Sequence, residues 1–102
     1  MIELIENHRS QIEELCRKYR VKTLEVFGSA ADGNWKPETS DLDFLVDYFP
    51  VSAEEIAPPY FPLLHDLEDL FGRKIDLVMT RAICNPYFLQ GVNRNRRVVY
   101  AA

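Results

Sequence analysis

Apolar positions recur at helical spacing from residue 2 to residue 20. Ile5, Ile12, Leu15, Cys16 and Tyr19 share one stripe, with Glu13, Glu14, Arg17 and Lys18 on the other face, which predicts a helix. Residues 22–27 read as a strand that ends at Gly28. Residues 28–40 form a polar, Gly- and Pro-containing connection with room for one helical turn after Ser29. Residues 41–47 read as a second strand that Pro50 ends. Ser52-Ala53-Glu54-Glu55 fits a capping box for a short helix, interrupted by Pro58 and Pro59. The segment from Pro58 to Pro62 reads as apolar and irregular, a cover for the core or a surface for a partner. Residues 62–71 carry Leu63, Leu64, Leu67, Leu70 and Phe71 on one stripe, and Gly72 suits the position after a helix end. Residues 74–79 read as a third strand. Asn85-Pro86 suits the start of a final helix, and Val98-Val99-Tyr100 a short terminal strand. The order is α-β-turn-β-α-β-α, with no internal repeat.

Composition narrows the class. A chain of 102 residues predicts one domain, 1–102. The acidic start, Met1 to Glu6, lacks the basic segment of a signal peptide, and no apolar run is long enough for a bilayer. A cytoplasmic protein with no membrane partner is expected. Cys16 and Cys84 lack metal-type spacing and read as reduced and packed. Net charge is −4, but no acid follows Asp76, only Arg81, Arg94, Arg96 and Arg97. That basic segment reads either as a solvated tail or as a patch for an acidic partner or polyphosphate. The overall acidity argues against non-specific duplex binding, which needs many phosphate contacts.

The chemistry lies in three short pieces. Asp41 and Asp43, spaced by one residue on a strand, point the same way, roughly 7 Å apart at the backbone. Such a pair repels unless a cation sits between them, and Mg²⁺ takes oxygen ligands of this kind. Asp76 interrupts a run that otherwise looks like a buried central strand, where a carboxylate is costly unless paired or metal-bound. If that strand neighbours the first pair, three carboxylates meet and two metals fit. Upstream, Gly28 lets backbone N–H groups approach phosphate, Ser29 adds a hydroxyl, and Gly33 extends the turn. Alone, a Gly-Ser is usually a turn and an Asp-x-Asp usually an exposed strand edge. Their coincidence with compatible elements is far more specific.

Phe27-Gly28-Ser29, an eleven-residue spacer and Asp41-Leu42-Asp43-Phe44 resemble the nucleotidyltransferase superfamily of the polymerase-β type. Asp76 matches its third carboxylate. Gly28-Ser29-Ala30-Ala31-Asp32-Gly33 resembles the Gly-Ser-x-Ala-Arg-Gly of its minimal members, with Asp32 where Arg is common. The resemblance covers nearly the whole chain. It implies an α/β (α+β) nucleotidyltransferase fold, a small mixed three-stranded β-sheet with helices packed on it, in core order α-β-α-β-α-β. It implies Asp41, Asp43 and Asp76 as catalytic and metal-binding residues, with two Mg²⁺ ions. Gly28, Ser29 and Gly33 would bind the nucleotide, with ATP as substrate. It also implies a partner. Minimal nucleotidyltransferases of this size are commonly antitoxins that transfer AMP to a tyrosine of a helical HEPN-domain ribonuclease toxin. Two other functions remain open: an antitoxin that acts by binding alone, and a small-molecule nucleotidyltransferase of the antibiotic-modifying kind. Larger relatives carry an extra domain that shapes the acceptor site, and this chain has no residues to spare for one. The acceptor is then expected on another protein, or the site is completed by oligomerisation.

His8 and His65 are lone histidines read as structural or surface residues. Trp35 could stack on a base or pack, and packing is the favoured reading; Tyr48, Tyr60, Tyr87 and Tyr100 carry no readable signal.

Overall fold

The computed structural model describes residues 3–28, 42–49, 59–80 and 96–102. They form helices α1 (Glu3–Asn7), α2 (Arg9–Lys18) and α3 (Tyr60–Phe71) with strands β1 (Val21–Phe27), β2 (Leu42–Tyr48), β3 (Ile75–Met79) and β4 (Arg97–Ala101). The predicted elements at 52–58 and from Asn85, and the proposed turn after Ser29, lie outside the described residues.

The strands make one mixed sheet in the order β3-β2-β1-β4. β1 pairs antiparallel with both β2 and β4, while β2 and β3 run parallel. A parallel neighbour needs a crossover, and α3 lies in the one between β2 and β3. The C-terminal strand is real and adds a fourth strand to the expected three.

Period-two alternation divides the sheet's residues between its faces. Leu24, Val26, Leu42, Phe44, Val46, Ile75, Leu77 and Val99 join Ile5, Ile12, Cys16, Leu63, Leu67 and Phe71 in the main core. The helices therefore cover one face. Phe44 and Phe71 stack with centroids 6.0 Å apart, joining β2 to α3. The opposite face has a smaller cluster of Phe27, Leu45 and Val78.

The expected helix over 2–20 is two helices, broken at His8. His8 Nδ1 donates to Leu4 O at 2.8 Å, taking the acceptor that the His8 backbone N–H would use in a continuous helix. That N–H turns instead to Ile5 O at 3.1 Å, a tighter i→i−3 contact. The ring also meets Phe71 edge-on at 5.3 Å, so His8 is structural, as expected. His65 is exposed.

The segment read as irregular up to Pro62 is corrected too. Tyr60, Phe61 and Pro62 form the first turn of α3. Proline is tolerated there because first-turn N–H groups have no partner within the helix. Leu63 N donates back to Pro59 O as the turn closes. Gly72 ends α3 with φ +63°, and its N–H donates to Glu68 O at 2.8 Å, the left-handed stop expected of it. Cys16 is buried and free, and burial pushes its thiol up to about 12; Cys84 lies outside the described residues. No helix among the described residues is long and apolar enough to cross a membrane.

Candidate active site

Four strand ends converge at one end of the sheet. β1 finishes there at Phe27 and Gly28, and β2 starts there with Leu42 and Asp43 because it is antiparallel. β3, parallel to β2, starts there with Ile75 and Asp76. β4, antiparallel to β1, starts there with Arg97. This arrangement brings together residues that stand far apart in the chain.

Phe27 is the register partner of Asp43, and Asp43 is the register partner of Asp76. Laterally paired residues share a face, so both carboxylates emerge on the face away from the helices. Strand spacing puts their backbones roughly 4.8 Å apart. Asp43 is half-buried and Asp76 exposed.

The expectation that Asp76 sits in a buried central strand is wrong. Among the described residues, β3 lies at the edge of the sheet. Ile75 and Leu77 turn to the helices, while Asp76 turns to the other face. The run looked continuous because Val78 is apolar as well, but it belongs to the second cluster. Exposure removes the desolvation cost of the carboxylate and leaves it reachable by a large acceptor.

Gly28 meets Asp43 closely. It has φ +71°, and a Cβ built on it would stand 2.6 Å from Asp43 Oδ2. The missing side chain thus makes room for the carboxylate as well as allowing the backbone turn. The sequence motif suggests a phosphate role for this glycine; its contact with Asp43 is a separate reason for the residue.

Ser29, Gly33 and Asp41 lie outside the described residues, as do Asp32 and Trp35. Among the described residues, no group of three or more His, Cys, Asp or Glu is gathered around one point. Asp43 and Asp76 fit a hard divalent cation in donor type and placement: two carboxylates in register on one face, one with glycine-made clearance.

One feature of this face was not anticipated. Glu25, 9 % exposed on β1, is paired with Arg96 just before β4. Arg96 Nε lies 2.5 Å from Oε2, and a terminal guanidinium nitrogen donates to Oε1 at 3.2 Å. The partners are 71 residues apart, so no local pattern could signal the pair.

The nucleotidyltransferase domain family matches residues 8–99, and the chain belongs to it. It is a nucleotidyltransferase of the minimal class, with the small mixed sheet of that class. A curated relative from Methanocaldococcus jannaschii, "Putative protein adenylyltransferase MJ1217", is 36 % identical over 94 residues, covering 91 % of this chain and 88 % of the relative. A solved "putative minimal nucleotidyltransferase" superimposes with a TM-score of 0.72 at 28 % identity, covering 94 % of this chain and 95 % of that one. The fold also matches a chain from a complex of tri-AMPylated Shewanella oneidensis HEPN toxin with MNT antitoxin. There the TM-score is 0.63 at 17 % identity, over 96 % of this chain and 73 % of that one.

Proposed function

We propose that this chain transfers AMP from ATP to a hydroxyl on a partner protein, acting as the antitoxin of a toxin–antitoxin pair. The acceptor is a tyrosine of a HEPN-type ribonuclease. The observation that carries this reading is the Asp43–Asp76 register pair beside Gly28. The protein adenylyltransferase name of the relative and the AMPylated toxin of the structural neighbour support the choice of nucleotide and acceptor.

In this reading Asp41, Asp43 and Asp76 would hold Mg²⁺, with Asp43 shared between two ions. The metal would supply charge neutralisation for the triphosphate and for the pyrophosphate leaving group. Gly28, Ser29 and Gly33 seat the phosphate tail through backbone N–H groups and the Ser29 hydroxyl. The tyrosine oxygen attacks the α-phosphorus in line, and the bond to the bridging oxygen of the β-phosphate breaks. Asp76, exposed on the edge strand, orients the incoming hydroxyl and accepts its proton. The chain's work is mainly positioning and charge compensation.

The test mixes the protein with ATP labelled at the α-phosphate, Mg²⁺ and the product of the adjacent gene. Label should move to that product with wild type and not with Asp43→Ala. Absence of transfer by wild type, or undiminished transfer by the variant, would overturn the proposal.

A further inference from the structure

Arg96 enters the sheet at the end that carries the carboxylates. Arg97 is the register partner of Val26, so Arg96 comes level with Phe27, itself the partner of Asp43. Arg96 also reaches onto the carboxylate face. Its guanidinium is gripped by Glu25, which is the register partner of Leu45 in the small cluster on that face. Glu25 and Asp43 are diagonal neighbours there, roughly 8 Å apart at the backbone by strand spacing and rise.

A triphosphate arriving at this end would meet Asp43 and Asp76, and a bare Glu25 would add to the repulsion. The ion pair cancels that third charge. It also presents the cation outward: the Arg96 side chain is 34 % exposed and that of Glu25 is 12 %. Glu25 takes one hydrogen bond from a terminal guanidinium nitrogen at Oε1, and Nε stands in ion-pair contact with Oε2, which ties the guanidinium to this face.

We infer that Arg96 binds the β- and γ-phosphate oxygens of the nucleoside triphosphate, and that Glu25 is its positioning residue. The inference rests on the nucleotide-transfer reading of the site. It gives part of the basic C-terminal segment a ligand, a polyphosphate held on the sheet end.

Calorimetry on the full chain separates the possibilities, using Mg²⁺ with a non-hydrolysable ATP analogue and, in parallel, AMP. Arg96→Ala should weaken the triphosphate analogue about tenfold or more, a typical cost of losing a charge-assisted contact. AMP, which lacks the β- and γ-phosphates, should be affected less than about twofold by the same logic. Arg96→Lys should retain part of the affinity, and it carries the test if the alanine variant fails to fold by circular dichroism. Glu25→Gln should also weaken the analogue, although it removes a negative charge. Unchanged triphosphate affinity in both Arg96 variants, or equal losses for AMP and triphosphate, would overturn the phosphate contact. Tighter binding by Glu25→Gln would overturn the positioning role. If wild type binds neither nucleotide, the inference and the reading beneath it both fall. If wild type binds and the variants match it, the inference falls alone.

Discussion

Asp43 and Asp76 stand opposite each other on adjacent parallel strands, with their side chains on the same face of the sheet. Like charges placed directly across a ladder destabilise it. The two carboxylates therefore repel each other across the ladder, and the divalent cation proposed for this site would relieve that repulsion. Asp76→Asn should leave the metal-free melting temperature unchanged or slightly raised, because the residue is exposed and surface changes usually stay within about 0.5 kcal/mol. Wild type should melt higher as Mg²⁺ or Mn²⁺ is added, and the variant should gain much less. Thermal unfolding across a metal titration reads both effects without any enzyme assay. A wild-type melting point indifferent to metal would count against this cation site.

Gly28 and Gly72 offer a matched pair. Both have positive φ, at +71° and +63°, so alanine at either position meets similar backbone strain, about 1 kcal/mol. Only at Gly28 does the new Cβ collide with anything, namely Asp43 Oδ2 at 2.6 Å; at Gly72 nothing lies within 4 Å. Gly72→Ala should lose stability and keep transfer activity. Gly28→Ala should displace the Asp43 carboxylate and lose activity as well, by about 100-fold, on the scale that small misplacements at a reacting centre cost. Melting curves and turnover measured on both variants check this, and equal activity in the two would refute it.

Much of this architecture could be read locally. The stripes in α2 and α3, all four strands and the stop at Gly72 follow from periodicity and glycine chemistry within a few residues. What could not be read depends on neighbours distant in sequence. The exposure of Asp76 follows from strand order, which puts β3 at an edge, and an apolar run does not encode that. The pairing of Glu25 with Arg96 requires β4 to return beside β1. The break at His8 depends on one side chain capturing one carbonyl, which a hydrophobic pattern does not register.

Tyr19 and Asp66 tie the two long helices together, the Tyr19 hydroxyl donating to Asp66 Oδ2 with Lys18 Nζ 3.7 Å from the same oxygen. That hydrogen bond to a carboxylate holds the Tyr19 hydroxyl above the usual phenol range. Tyr19→Phe keeps the ring and removes the bond. Its expected cost is about 0.5–1 kcal/mol, since the site is only partly shielded from water. Tyr19→Phe and Asp66→Asn should be non-additive, because each breaks the same contact. A double-mutant cycle by urea unfolding measures the coupling, and strictly additive losses would show that the contact contributes nothing.

Cys16 and Tyr48 should both make stability fall in the alkaline range. Burial pushes the Cys16 thiol from 9.0 up to about 12. Burial, with Tyr60 nearby, pushes the Tyr48 hydroxyl from 10.0 up to about 12. Both groups are neutral when protonated, and the folded state holds them so. In the unfolded chain the thiol ionises from about pH 9 and the phenol from about pH 10. The unfolded state thus loses protons first, and stability falls as pH rises through this window toward 12. Below pH 9 the contribution of both groups is complete. Cys16→Ala should lower stability at pH 7 by leaving a small cavity, yet flatten the decline between pH 9 and pH 10. Tyr48→Phe should flatten the portion above pH 10, where the phenol of the unfolded chain ionises. Unfolding free energies from urea titrations at half-unit pH steps, with reductant present, resolve the two segments. An unchanged pH slope in both variants would mean that these buried groups do not govern alkaline unfolding.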